Sequence, residues 1–185
     1  QDNSTTFRDK SGILGPAISD SNDHYIVLGG DGCQVGMTKK NTAGNQFLFC
    51  AAQSGQIYRM KLFDFSTGLY TLIRPTGSAD GEFITYFHLD PDNTDFLYYV
   101  SKNSIYRTGD AEKVSASSWT LMDGVNTSVT GSIFALATTR GPYAANNHLF
   151  IGTSSGKIYR LKDPQWGASG NQPFDITPSG MTSGS

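Results

Sequence analysis

Apolar residues along this chain fall in short runs of four to eight, broken by clusters of Gly, Asp, Asn, Ser and Pro. "FLFCAAQ" at 47–53, "FLYYVS" at 96–101 and "HLFIGTS" at 148–154 are such runs. Each is followed by a tight Ser-Gly or Lys-Asn turn and then by a second run, "QIYR", "SIYR" or "KIYR". Runs of this length, rich in aromatic and β-branched residues and bounded by turn formers, read as strands of antiparallel hairpins. No comparably long stretch carries a helical period, so the pattern predicts an all-β chain.

The pattern also repeats. An arginine after an aromatic recurs as Arg8 ("TTFR"), Arg59, Arg107 and Arg160, at spacings of 51, 48 and 53 residues. Each is followed by an aromatic that opens a short run: Tyr25 in "YIVL", Tyr70 in "YTLI", Trp119 in "WTLM" and Phe174 in "FDIT". Between these, a glycine introduces an alternating run: "GCQVGM" from Gly32, "GEFITYFHL" from Gly81 and "GSIFALAT" from Gly131. Three markers in one order define a period of about fifty residues holding four strands, the unit of a β-propeller blade. The middle copy predicts strands at 82–89, 96–101, 104–109 and 118–122. The expected organisation is a single propeller domain: the later part of a blade in 1–28, blades in 29–77 and 78–126, and a blade with the start of the next connection in 127–185. That is about three and a half blades, whereas propellers close with four to eight. The chain is therefore expected to be a fragment or part of a larger propeller, completed by further blades of the same chain or of partner chains.

"QDNST" at 1–5, "GGDGCQV" at 29–35, "LDPDNTDFLYYVSKNSIYRTGD" at 89–110 and "SSGKIYRL" at 154–161 resemble the BNR or Asp-box propellers, the sialidase-like and sortilin-like group. The likeness is greatest to secreted bacterial propellers of the sortilin-like kind and covers nearly the whole chain. It implies an extracellular or cell-surface protein. The Asp-box pattern, Ser/Thr-x-Asp-x-Gly-x-x-Trp, is kept in part: Thr108, Asp110 and Trp119 fit, but the glycine is absent and extra residues intervene. An Asp after the third strand is expected to accept turn N–H groups while the following aromatic packs beneath. The repeated pairs Tyr58-Arg59, Tyr106-Arg107 and Tyr159-Arg160 are expected to be scaffold, with the ring between blades and the guanidinium on carbonyls or a neighbouring carboxylate.

Unrepeated segments are the candidates for binding. Gln1, Asp2 and Asn3, and the "GGDG" turn with Asp31, occur once each and, on the resemblance, point to the channel or one rim. "DPDNTD" sets Asp90, Asp92, Asn93 and Asp95 at a spacing that suits oxygen ligands of calcium, and equally suits a plain turn between strands. No other cofactor is expected.

Composition narrows the classes further. With 37% hydrophobic and 16% charged residues the chain is that of a folded domain. A net charge of −2 carries no electrostatic footprint for nucleic acid. No apolar run reaches the roughly 20 residues needed to insert in a membrane. Cys33 and Cys50 fall in adjacent predicted strands, as one bridge or as two buried thiols, and no zinc-type spacing accompanies them. Asn3-Ser-Thr and Asn126-Thr-Ser are N-glycosylation triplets. A glycosidase needs two facing carboxylates; Asp2, Asp31, Asp80, Glu82 and Asp123 are available. His24, His88 and His148 are scattered over separate copies, and no nucleophile-elbow motif accompanies them. The expected function is a non-catalytic binding or scaffold module of a larger secreted protein, with a polypeptide or glycan ligand. The alternative is a xyloglucanase- or sialidase-like glycoside hydrolase with catalytic carboxylates partly outside this chain.

Overall fold

A computed structural model describes residues 4–7, 25–62 and 70–181. Gln1, Asp2, Asn3 and Arg8 lie outside the described residues. The described chain is all-β, with three antiparallel four-stranded sheets and one two-stranded pair. The pair joins β1 (Thr5–Phe7) to β2 (Tyr25–Leu28). The first sheet holds β3 (Val35–Met37), β4 (Phe47–Ala51), β5 (Ile57–Lys61) and β6 (Thr71–Leu72). The second holds β7 (Phe87–Leu89), β8 (Leu97–Ser101), β9 (Ser104–Thr108) and β10 (Thr120–Leu121). The third holds β11 (Ile133–Thr138), β12 (His148–Thr153), β13 (Ile158–Lys162) and β14 (Phe174–Asp175). In each sheet the strands lie side by side in chain order.

The central hairpins form where the apolar runs meet turn chemistry. Ser54 and Gly55 both adopt positive φ, 59° and 82°, as a type I′ turn requires, and Gln56 N–H closes it on Gln53 C=O. In the third sheet Gly156, at φ 72°, ends a three-residue loop closed by Thr153 N–H on Lys157 C=O. Across these hairpins Phe49 faces Arg59, Tyr98 faces Arg107 and Phe150 faces Arg160.

Alternation gives each sheet two apolar faces. On one face of the first sheet Leu48, Cys50 and Met60 pack with Leu28 of β2. Its other face carries Phe49, Ala51, Ile57 and Ile73 against Phe87, Leu97 and Tyr99 of the second sheet. The second sheet's remaining face, with Tyr98, Val100, Ile105 and Met122, meets Ile133, Leu149, Ile151, Tyr159 and Leu161 of the third. Most of these side chains are fully buried, and each Leu, Ile, Val, Phe and Met among them contributes about 1.5–3 kcal/mol of hydrophobic stabilisation. One helical turn, α1 (Asp123–Asn126), links the second and third sheets, and Val125 and Val129 fill the space between them.

The first strands of successive sheets adjoin, β3 beside β7 and β7 beside β11. A mostly apolar cleft of about 300 Å³ crosses them, lined by Gln34, Ile84, Tyr86, Phe134 and Leu136 among others. The expected strand at 82–89 is regular only over Phe87–Leu89. The preceding residues spend their hydrogen bonds on the hairpin of the sheet before: Phe83 C=O accepts from Ser54 N–H, and Thr85 Oγ1 accepts from Gly55 N–H. The fourth-strand aromatics are not equivalent either. Trp119 and Tyr70 precede the residues paired with Arg107 and Arg59, but Phe174 is itself paired with Arg160, and buried Pro173 takes the position of Trp119.

Candidate functional site

Two of the repeated arginines make the same contact. Arg59, on β5 of the first sheet, donates from Nη1 to Glu112 C=O at 2.6 Å, in the loop that follows β9 of the second sheet. Arg107, on β9, donates from Nη1 to Pro164 C=O at 2.8 Å and Gly167 C=O at 3.1 Å, in the loop that follows β13 of the third. Each guanidinium thus bridges one sheet to the next through main-chain acceptors, with its stem laid along the apolar face. Burial lowers the pKa of Arg59, opposed by the charge of Asp110. Arg160 occupies the same register on the third sheet, and its side chain is exposed.

The tyrosines beside these arginines point the other way, each toward its preceding sheet. Tyr106 packs near Tyr99, and Tyr159 lies in the core shared with the second sheet, its hydroxyl within 2.9 Å of Thr130 Oγ1. Tyr58 packs edge-on to Tyr70. Trp119 joins the same core as Tyr99 and donates its indole N–H to Ile73 C=O of the first sheet at 2.7 Å.

Asp110 does not do what an Asp-box carboxylate is expected to do. Its own N–H goes to Thr108 Oγ1, Ala111 N–H goes to Asp95 C=O, and Lys113 N–H goes to Asp110 C=O. Among the described residues its carboxylate meets only Lys113, at 3.3 Å on the surface.

In the "DPDNTD" turn the three acids have different surroundings. Asp90 is buried; one carboxylate oxygen accepts from Asp92 N–H and Asn93 N–H, and the other accepts from Gln165 Nε2 at 3.0 Å. Asp92 binds Arg140 with both oxygens, at 2.8 and 3.2 Å, and also accepts Gly141 N–H at 2.7 Å. These bonds, Arg140 first, hold its pKa down at about 2. Asp95 is exposed, and its backbone N–H donates to Asn93 Oδ1. Among the described residues no three His, Cys, Asp or Glu side chains gather in a metal-holding group. Beside this turn lies a polar cleft of about 420 Å³, lined by Asp90, Asp92, Thr139, Tyr143, Asn147 and Gln165 among others. Tyr143 donates its hydroxyl to Asp163, and burial together with that carboxylate raises its pKa to about 12.

The "GGDG" turn sits against the start of β1. Ser4 N–H donates to Gly30 C=O at 3.0 Å. A methyl group on Gly32 would lie 2.8 Å from Ser4 O, so only glycine allows that approach. The residue after Gln1-Asp2-Asn3 therefore rests on the turn that carries Asp31. Asp31 N–H donates to Gln53 Oε1, and Asp31 Oδ1 is buried without a hydrogen-bond partner.

Asp80, Glu82 and Asp123 each meet a different partner. Asp80 pairs with Arg74 at 2.9 Å, Glu82 accepts from Ser132 Oγ at 2.6 Å, and Asp123 accepts from Gly124 N–H at 3.0 Å. Cys33 and Cys50 are free thiols in different cores, Cys33 between the first two sheets and Cys50 toward β2. Burial pushes the Cys50 thiol up to about 12. His88 contacts Thr138 Oγ1 at 3.0 Å, and burial lowers its pKa. Asn126 keeps its side-chain carbonyl buried and unpartnered.

Sequence reading missed Arg140, Gln165, Tyr143 and Gln53. All are single residues on connecting loops, and their partners lie 20 to 75 positions away. Comparison with protein families, with curated proteins and with solved structures finds no match to this chain.

Proposed function

We propose that this chain is part of a β-propeller of the Asp-box kind, a non-catalytic binding or scaffold module of a larger secreted bacterial protein. The observation that carries the reading is the arginine bridge used twice in one register, from Arg59 and from Arg107, between consecutive four-stranded sheets. A device repeated with the architecture serves the architecture. The adjoining first strands support the same reading, since blades arranged around an axis bring their first strands together.

Asp80, Glu82 and Asp123 each meet a separate partner rather than one another, which supports binding over hydrolysis, because glycoside cleavage uses a facing carboxylate pair. The polar cleft beside Tyr143 falls within the usual range of roughly 300–1,000 Å³ for ligand pockets. It is where we place a glycan or an extended polypeptide. Calcium at the Asp90 turn stays a secondary proposal, tested by any rise in melting temperature on adding the ion.

Electron microscopy of the purified protein tests the architecture: rings with an axial channel are expected. Glycan and peptide arrays test the ligand, with Tyr143→Ala expected to weaken what binds. Release of reducing sugar from a polysaccharide, at a turnover in the ordinary range of about 1–10³ per second, overturns the non-catalytic reading.

A further inference from the structure

The third sheet has one face with no sheet against it in this structure, and that face copies the two that are covered. Phe49 and Tyr98, which stand opposite the bridging arginines, are fully buried. Their counterpart Phe150 is only half-buried. Ile57 and Ile105 have no exposed surface, whereas Ile158, at the same register, keeps part of its surface open. Ile73 and Met122, bonded through their N–H groups to Ile57 and Ile105 C=O, are buried; Ile176, bonded in the same way to Ile158 C=O, is half-buried. Where the first two sheets have Thr71 and Thr120 opposite the arginine, the third has Phe174, 66% exposed. Arg160 stands over this surface with no acceptor among the described residues.

We propose that this face is a docking surface for one further four-stranded sheet of the same repeat, carried on the same polypeptide. The loop after that sheet's third strand would give Arg160 its main-chain carbonyls. The argument for the occupant comes from within the molecule. Both faces of this pattern that are covered here are covered by the next stretch of chain, and in both the arginine ends on the same loop of the covering sheet. Self-pairing of two third-sheet faces is disfavoured, because it would set Arg160 and Lys162 of one copy against the same cations of the other. The inference rests on the repeat reading above, but concerns one surface rather than ring closure or ligand.

Hydroxyl-radical footprinting of the protein from its natural source, with its denatured intact mass, tests the proposal. After each rate is divided by that of the same residue in the unfolded chain, Phe174 is expected to label several-fold more slowly than Trp166, although the two are 66% and 69% exposed here and Trp166 lies on a loop outside this face; Phe150 and Ile158 are expected to be protected with it. The chain carrying that protection is expected to exceed 20.0 kDa. Arg160→Glu is expected to restore labelling at all three positions, and Arg160→Lys to restore it less. Normalised labelling of Phe174 at a rate comparable to Trp166 overturns the proposal, as does protection in a chain of 20.0 kDa that dimerises. Rings assembled from several chains of 20.0 kDa would leave the propeller module standing without this inference. A protected face in a protein that forms no ring would do the reverse.

Discussion

Arg107 and Arg160 make a controlled experiment inside one molecule, because they share a register and differ in what they reach. Arg107→Ala removes hydrogen bonds to Pro164 and Gly167 C=O and strands both carbonyls at the boundary of the second and third sheets. A bond from a charged donor contributes about 1.5–3 kcal/mol. Both bonds leave a single Nη1 in a part-buried setting, so they count as one strong bond plus the stranded acceptors, a loss of about 3 kcal/mol. With a urea dependence of about 2 kcal/mol per molar, the unfolding midpoint falls by roughly 1.5 M. In the 185-residue chain alone, where no sheet covers the third sheet's open face, Arg160→Ala removes no such bond, and its exposed position predicts a change within about 0.5 kcal/mol. Arg107→Lys keeps the charge without the planar fork and is expected to fall between the two. Urea titrations of the three variants and the parent, followed by tryptophan fluorescence and by circular dichroism, read the differences. Equal midpoint shifts for Arg107→Ala and Arg160→Ala would refute the claim that the bridge stabilises the sheet boundary.

Gly55 sits at φ 82° with Gly81 N and the Tyr99 hydroxyl each 2.8 Å from where a methyl group would go. Gly55→Ala is therefore expected to cost about 2–4 kcal/mol, from the left-handed backbone and the overpacking together, read as a lower melting temperature. His88 has its folded pKa lowered by burial, so the unfolded chain takes up the proton first. Stability is present above the unfolded value of about 6.5 and is lost as pH falls below it; His88→Gln should flatten the urea midpoint between pH 7.5 and 5. Asp92 and Asp175, both held at about 2, titrate below that window. A thiol reagent under native conditions is expected to modify Cys33 alone, since Cys50 is buried with its pKa near 12; mass spectrometry before and after unfolding reads one adduct and then two.

The architecture was legible because its signals lie in side chains. Tyr-Arg pairs, hairpin glycines and alternating runs mark strands two and three of each sheet, and β4–β5, β8–β9 and β12–β13 fall where those marks stand. What the arginines reach was not legible in detail. Glu112, Pro164 and Gly167 contribute carbonyl oxygens, which every residue has, so no residue type signals them. The fourth-strand aromatic is displaced by one position at Phe174, because Pro173 stands where Trp119 and Tyr70 do and the aromatic follows it. "DPDNTD" was readable as a turn, and Asp90 Oδ1 accepts the two backbone N–H groups such a turn offers. The second oxygen of Asp90 goes to Gln165, a partner set by how the second and third sheets stack rather than by local sequence. Asp110 looked like a box residue by position, yet Thr108 and two carbonyls had already taken the neighbouring N–H groups.

The forward direction of the arginine bridge also bears on how such a chain emerges from the ribosome. Each sheet is finished before the loop that will receive its arginine has been made. At about 5–20 residues per second, a fifty-residue period leaves a completed face uncovered for roughly 3–10 s. During that interval every nascent chain displays an apolar surface like that of β11–β14 and is exposed to its neighbours on the same message. The guanidinium standing over that surface repels an identical face, yet donates to the carbonyls that its own chain delivers next. One residue type thus serves first as a guard against association between nascent chains and later as the bolt between consecutive sheets.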